Sequence, residues 1–148
     1  MVEELRNEDL KRVECVMSLS IVISKNHLYT KIHFMNDLNK RLFNFGINVI
    51  TYLRTLPETR EYWALKNQLF RSCTSPGACY SESQGGCTMA DFHNKINISL
   101  KEMRESNYWL RMISALRRPD RDLQGLIRES EELIKILGSI SYKTRKKL

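Results

Sequence analysis

The feature that most constrains the fold is the recurrence of apolar residues at every third or fourth position along most of the chain. Between about Asp37 and Leu56 this recurrence forms one stripe: Leu38, Leu42, Phe45, Val49, Leu53 and Leu56. Apolar residues with that spacing lie along one face of an α-helix. Pro57 lacks a backbone N–H donor, so it ends this helix. A second stripe lies beside the first, and we expect the helix to bury both faces: Phe43, Ile47 and Ile50.

A second helix is predicted from near Thr59 to about Gln84. Its inward positions follow the same period: Tyr62, Leu65, Leu69 and Cys73. Pro76 interrupts it, because proline cannot donate to the carbonyl of Ser72. Either the helix kinks there, or Ser75 caps a fresh turn. We favour a kink inside one long element, since Gly77 and Ala78 leave room for a close helix crossing.

The third and fourth helices have recognisable starts. Gly85 and Gly86 end the second helix, and Thr88 with Asp91 forms a variant capping box for the third. The third helix stops before Pro119, and its inward residues are Phe92, Ile96, Leu100, Met103, Leu110 and Ile113. The fourth begins around Asp120, where Asp120 and Asp122 suit the positive end of the helix dipole. Its apolar residues are Leu123, Leu126, Leu133, Leu137 and Ile140, and Glu131 with Lys135 forms an i,i+4 pair.

Composition agrees with helices joined by short connections. Only 6 of the 148 residues are glycine and 3 are proline, whereas an all-β protein needs many turn residues. The predicted fold is therefore all-α, an antiparallel up-down four-helix bundle over residues 35–148. Residues 1–34 have no clear cap and carry five basic and five acidic side chains. We interpret them as an N-terminal extension of uncertain structure, and a chain beginning at Met35 should fold without it.

The cysteine and histidine positions argue against an enzyme. Cys15, Cys73, Cys79 and Cys87 form no C-x-x-C pair, so reduced thiols in the cytoplasm are expected. Cys79 or Cys87 with His93 would make a thiol–imidazole dyad, but no third group orients it. The spacing of possible ligands matches neither zinc nor a di-iron bundle. We expect no catalytic residue, no cofactor, no metal and no small-molecule substrate. We also expect no membrane association, because Val13–Ile23 is too short and too polar to span a bilayer.

Three patches of sequence resemble a known family. They are Leu56–Pro57 with residues 67–72, residues 75–83, and the third-helix segments at 90–92, 100–102 and 105–110. Taken together in order, they resemble the four-helix-bundle proteins encoded within intervening sequences of bacterial 23S ribosomal RNA genes. Cys79 stands where that family usually has asparagine, and Pro76 where it has an aliphatic residue. Residues 1–34 have no counterpart.

The resemblance implies a cytoplasmic homo-oligomer, a pentamer. It also implies nucleic-acid binding, because the family is associated with ribosomal RNA insertions and is similar to the accessory proteins of diversity-generating retroelements. Those accessory proteins are basic pentameric barrels that engage RNA or DNA. The biochemical role of the ribosomal-RNA branch itself is poorly established.

Charge indicates the same class of partner. The formal net charge is +7, all of it in residues 35–148, and such an excess favours a polyanion. The candidate nucleic-acid-binding residues are Arg71, Lys95, Arg104, Arg111, Arg117, Arg118, Arg121, Lys143, Arg145, Lys146 and Lys147. Without a base-reading motif, we predict electrostatic binding of RNA or DNA with low sequence specificity. The alternative is a protein-interaction scaffold whose charge serves solubility.

Two further groups on the third helix allow more than one interpretation. Lys101, Glu102 and Glu105 either pair between helices or subunits, near Glu82, or form a solvated face. Tyr108 and Trp109 are adjacent, so they point to different sides of the helix, and one can enter the core while the other lies at its edge. For these two aromatics, packing in the core or at a subunit interface is favoured over stacking on a nucleobase.

Overall fold

The computed structural model describes residues 37–85, 88–118 and 120–146. By its contacts the chain divides into two compact units, Met1–Leu38 and Asn39–Leu148. The predicted extension over residues 1–34 lies outside the described residues, and so do Cys87 and Lys147. All of the architecture below concerns the second unit, apart from the first turn of its first helix.

The described residues form the predicted all-α fold, with four helices and no strand. Helix α1 covers residues 37–53, and the others are α2 (Arg60–Ser83), α3 (Met89–Leu116) and α4 (Arg121–Arg145). Three N-caps accept backbone N–H groups of the following turn, which otherwise lack intrahelical partners: Thr59, Thr88 and Asp120. Of the helices in these ranges, none has the length and apolar character needed to cross a bilayer.

Contacts between the helices establish an antiparallel up-down order. A Cβ added to Gly77 of α2 would meet Leu42 of α1 at 3.7 Å. Ser99 of α3 donates its hydroxyl to the carbonyl of Pro76 at 2.9 Å, and Asn107 of α3 donates to Ser130 of α4 at 2.8 Å. Arg41 of α1 forms an ion pair with Glu129 of α4, so the first and last helices are also in contact. Each helix therefore contacts its two neighbours in a four-membered ring, and the bundle has two distinct ends.

The core consists of the apolar stripes that the sequence predicts. The first stripe of α1 is buried throughout, from Leu38 to Leu56. The predicted inward residues of the other helices are also buried, except that Tyr62, Phe92 and Ile140 are only half-buried. Helix α2 is continuous through Pro76, so that part of the prediction is confirmed. These stripes meet along the bundle axis, and their burial is the main stabilising contribution to the fold.

Small residues allow two pairs of helices to approach closely. On α1, a Cβ added to Gly46 would lie 3.3 Å from the backbone oxygen of Cys73 on α2. Between α2 and α3, the buried hydroxyl of Ser106 donates to that of Ser72 at 3.1 Å. Within the described ranges, no buried side-chain nitrogen or oxygen lacks a hydrogen-bond partner. The polar groups of these close crossings are thus compensated for their removal from water.

Two predictions about side-chain placement are wrong, those for the second stripe of α1 and for Lys135. The second stripe of α1 does not enter the core, because Phe43 is 66% exposed and Ile47 is 48% exposed. The Tyr108–Trp109 pair, for which the sequence allowed either the core or a subunit interface, lies at the edge of the core: Tyr108 is exposed and Trp109 is half-buried. Lys135 pairs with Glu132, one turn away at i,i+3, rather than with Glu131. In each case helical spacing gives the face of a residue but not what covers that face.

Candidate nucleic-acid interface

The antiparallel order separates the predicted cations into two groups. The residues joining α1 to α2 and those joining α3 to α4 lie at one end of the bundle, which we call the arginine end. Arg117, Arg118 and Arg121 lie there, with Arg111 near it on α3. The residues at the end of α4 lie at the opposite end: Lys143, Arg145 and Lys146. With 28 residues in α3 and a rise of about 1.5 Å per residue, the ends are roughly 40 Å apart.

The other predicted cations join neither group. Arg71 and Arg104 are exposed near the middle of α2 and α3. Lys95 forms an ion pair with Glu82 across α2 and α3, which reduces its availability for phosphate. Within the second group, Lys146 places its ammonium 4.6 Å from the ring centroid of Tyr142, a cation–π contact. The structure therefore groups the predicted cations at two places, around the connection between α3 and α4 and at the end of α4.

Three arginines near this end were missed by sequence reasoning. Arg54 and Arg60 flank the connection between α1 and α2, and the antiparallel order places both at the arginine end. Arg128 lies two turns along α4 and lines the same cleft as Arg117 and Arg121. The sequence contained the signal for Arg54 and Arg60, since connections one and three of an up-down bundle must share an end.

Arg117 and Asp120 are held by a tyrosine of α1. The Tyr52 hydroxyl donates to Asp120 Oδ2 at 2.9 Å, and Arg117 Nη1 donates to the Tyr52 oxygen at 3.4 Å. Burial, followed by the hydrogen bond to Asp120, raises the pKa of Tyr52 to about 12. The Tyr52 hydrogen bond lowers the pKa of Asp120, and the backbone N–H groups of Leu123 and Asp122 lower it further. At neutral pH this network therefore contains a neutral phenol, a carboxylate and a guanidinium.

The network lies beside an open cleft between α1 and α4, with a volume of about 900 Å³. Asn48, Thr51 and Thr55 line its α1 side. The lining residues contributed by α4 and the residues preceding it are Arg117, Asp120, Arg121, Asp122, Gly125, Leu126, Arg128 and Glu129. Both charge signs are present, so the cleft is not simply cationic.

Arg111 lies on the other side of α4, in a shallow depression of about 300 Å³ between α3 and α4. Ser114 and Gln124 line the same depression, and Gln124 donates to the Ser114 hydroxyl at 3.0 Å. Arg111 and Arg118 are exposed and form no ion pair with any other residue of the described ranges. Their guanidinium donors are therefore available for a phosphate, which planar guanidinium groups bind in a bidentate manner.

The groups considered for catalysis have other partners. His93 Nδ1 lies 2.7 Å from the Thr144 hydroxyl, and His93 Nε2 lies 2.9 Å from Asn97 Nδ2. Cys79 Sγ lies 3.8 Å from the hydroxyl oxygen of Ser75 on its own helix. No group of three or more potential metal ligands occurs among the residues that the structure describes.

Two apolar surfaces open to solvent lie on different sides of the bundle. The first, which we call the α1–α2 strip, consists of Phe43, Ile47, Ile50 and Phe70. Ile50 and Phe70 line one depression, which shows that the strip is continuous across the two helices. The second, the α3 face, consists of the exposed Tyr108 and Leu116 with the half-buried Met112 between them, spaced four residues apart. Exposed apolar surface of this kind is typical of interaction sites.

Comparison with known proteins gives one family and one solved fold. A family model described as 23S rRNA-intervening sequence protein matches residues 36–139. A crystal structure of a protein of unknown function from the S23 ribosomal protein family of Bacteroides thetaiotaomicron is similar, with a TM-score of 0.66. It is 29% identical, and the match covers 73% of this chain and 97% of that one. No curated protein matches the chain.

Proposed function

The chain belongs to the 23S rRNA-intervening sequence protein family, and from this membership we propose that it binds RNA or DNA electrostatically, as a non-enzymatic homo-oligomer. The solved relative is described as having unknown function, and neither comparison indicates an enzymatic family. The family name associates these proteins with ribosomal RNA. Nucleic acid is therefore the first partner to consider for a chain with a net charge of +7.

The proposal rests on the exposure of Arg111 and Arg118 and on their lack of a carboxylate partner among the described residues. Both lie at or near the same end of the bundle. Lys66 and Lys135, in contrast, are engaged by Glu58 and Glu132. Contacts from arginine to phosphate supply affinity and orientation but carry no direct sequence information, so low sequence specificity follows.

We expect the double variant Arg111→Gln, Arg118→Gln to bind structured RNA about tenfold more weakly at moderate salt, because two phosphate contacts are lost. The slope of log K against log salt should also decrease by about two. Filter binding or fluorescence anisotropy at several salt concentrations measures both quantities. A matched control exists in the variant Lys66→Gln, Lys135→Gln, which removes the same formal charge from cations already paired with Glu58 and Glu132.

The control separates a located surface from general attraction to a basic protein. Equal losses in the two double variants would mean that only net charge matters, and the assignment to Arg111 and Arg118 would be wrong. A flat salt response in the wild-type chain, or no binding below tens of micromolar, would contradict nucleic-acid binding altogether.

The two apolar surfaces support the homo-oligomeric part of the proposal. The α1–α2 strip and the α3 face lie on different helices, so a contact that joins one to the other is heterologous, or head-to-tail. Heterologous contacts produce closed rings when the rotation between subunits closes. A pentameric ring, which the family resemblance implies, would carry about +35 from five chains at +7, a field that strongly concentrates polyanions.

We expect Phe43→Asp to convert the assembly to monomers of 17.5 kDa, because a carboxylate cannot be buried unpaired at an apolar contact. Light scattering coupled to size exclusion measures the mass. Asn44→Asp is the matched control, since it adds the same charge at the neighbouring exposed position of α1. An unchanged mass in Phe43→Asp would exclude the strip as the contact. A wild-type chain that is already monomeric would contradict the homo-oligomeric part of the proposal.

A further inference from the structure

We propose that the cleft between α1 and α4 is a specific binding site for a phosphate group carried by a nucleotide-sized ligand. This proposal rests on the proposed function only for the source of the phosphate, an unpaired nucleotide of a nucleic acid. It goes beyond diffuse attraction, because it assigns a defined site with its own shape. It also departs from the sequence-based expectation that no small molecule is bound.

The acceptors of the cleft are mostly occupied. Asp120 Oδ2 accepts from the Tyr52 hydroxyl, and Asp120 Oδ1 accepts from two backbone N–H groups of α4. Both oxygens of Glu129 accept from Arg41, at 2.9 and 3.0 Å. Asp122 is the remaining carboxylate, and it is exposed on the first turn of α4. Most of the negative charge in the lining is thus already neutralised or hydrogen-bonded.

The donors of the cleft, in contrast, are mostly unused. Arg121 and Arg128 make no hydrogen bond or ion pair with any residue in the described part of the chain. Arg117 uses one nitrogen for a long contact with Tyr52, at 3.4 Å. Three guanidinium groups therefore line one cleft with most of their N–H groups free. Phosphate oxygens are the acceptors whose geometry and charge match this arrangement.

The size and lining of the cleft suit a nucleotide rather than an isolated ion. Its volume of about 900 Å³ falls in the range of small-molecule pockets, about 300–1,000 Å³. Phe45, Tyr52 and Leu126 form the floor of the cleft but are almost fully buried, whereas the exposed Asn48, Thr51 and Thr55 supply hydrogen-bonding groups for a sugar or a base. The first turn of α4 does not provide the attraction, because the side chain of Asp120 already caps it.

Gly125 allows a test that leaves every charge in place. It lines the cleft, and a Cβ built on it meets no atom within 4 Å. Gly125→Leu therefore projects a side chain into the cleft without a backbone clash. Gly138 is the matched control, because it is also a glycine of α4 with open space around its Cβ and does not line the cleft. Leucine is a better helix former than glycine, so both variants should retain α4.

Binding of pyrophosphate and of adenosine 5′-monophosphate is measured by isothermal titration calorimetry at low salt. We expect Gly125→Leu to weaken binding of the nucleotide about tenfold or more, and Gly138→Leu to leave it within about twofold. The paired variant Arg121→Gln, Arg128→Gln should weaken binding of both probes. It serves as the second test should Gly125→Leu fail to fold, since both arginines are exposed.

The outcomes separate this proposal from the proposed function. Equal nucleotide affinities in the two glycine variants, or no binding of either probe to the wild-type chain, would overturn it. Displacement of the nucleotide by a short single-stranded RNA would support the phosphate site and would identify a nucleic acid as the source of the phosphate. If the nucleotide binds and no RNA displaces it, the phosphate site is supported and a free nucleotide is the source of the phosphate. If no RNA binds at all while the nucleotide does, the proposed function fails and the cleft assignment stands.

Discussion

Replacing Gly46 with leucine is expected to destabilise the bundle by about 3 kcal/mol, because overpacked helix crossings cost that much when the neighbour cannot move. The neighbour here is backbone: a Cβ at Gly46 would already lie 3.3 Å from the carbonyl oxygen of Cys73. Gly46 is buried in the crossing between α1 and α2, so we expect the remaining carbons of leucine to push the two helices apart. Burial lost along the first apolar stripe then adds to the strain.

Thermal and denaturant unfolding, followed by far-UV circular dichroism, measure this effect. A loss of about 3 kcal/mol corresponds to a decrease of roughly 10 °C in melting temperature for a domain of this size. Gly138→Leu is the matched control, because its Cβ meets nothing within 4 Å, and it should gain about 0.5–1 kcal/mol from helix propensity. A Gly46→Leu protein as stable as the wild type would show that α1 and α2 are not held at this distance.

The contrast between these two glycines shows where sequence reasoning stops. Both occupy helical positions and neither breaks the apolar pattern, so the sequence does not distinguish them. The helices themselves were predictable, because a repeat of three to four residues and the caps at Thr88 and Asp120 are local signals. Gly46 differs from Gly138 only through a carbonyl of another helix, and such a contact depends on the tertiary arrangement.

The second stripe of α1 shows a further limit of predicting burial from the sequence. Phe43 and Ile47 have the spacing of core residues, yet both are exposed in the single chain. Periodicity identifies an apolar face, but it does not say whether the same chain or a second copy covers that face. The prediction of two buried faces therefore failed for the isolated chain.

The candidate site was predictable in composition but not in arrangement. Arg117 and Arg121 were identified from their local density of charge, whereas Arg54 and Arg60 follow only after the connections are assigned to a common end. The role of Tyr52 was not predictable, since its partner Asp120 is 68 residues away in sequence. The cleft also depends on Gly125, whose importance comes from an absent side chain.

Asp120 caps α4 and also lines the cleft. We expect Asp120→Ala to lower the free energy of unfolding by about 2–3 kcal/mol. Part of the loss is the N-cap of α4, about 1 kcal/mol. The rest arises because the Tyr52 hydroxyl, in a side chain with only 6% exposure, would lose its acceptor, at a cost of about 1–2 kcal/mol. Tyr52→Phe removes the hydrogen bond but keeps the cap. The double variant should therefore be less destabilised than the sum of the two single variants, which unfolding free energies in a double-mutant cycle will measure.

The pH dependence of stability in the wild type and in Asp120→Asn tests whether the charge of the Asp120 carboxylate contributes to the fold. The hydrogen bond from Tyr52, then those from the backbone of α4, lower the pKa of Asp120 below its ordinary value of 3.8. A carboxyl group whose pKa is lowered in the folded state contributes its full stabilisation above pH 3.8, and this contribution is lost as the pH falls through the pKa of the folded state.

Asp120→Asn retains a capping oxygen but cannot ionise. The difference in unfolding free energy between the wild type and Asp120→Asn should therefore be constant near neutral pH and shrink below pH 3.8. A difference that stays constant through the acid range would mean that the charge of Asp120 contributes nothing, and that capping geometry alone holds α4 against Tyr52.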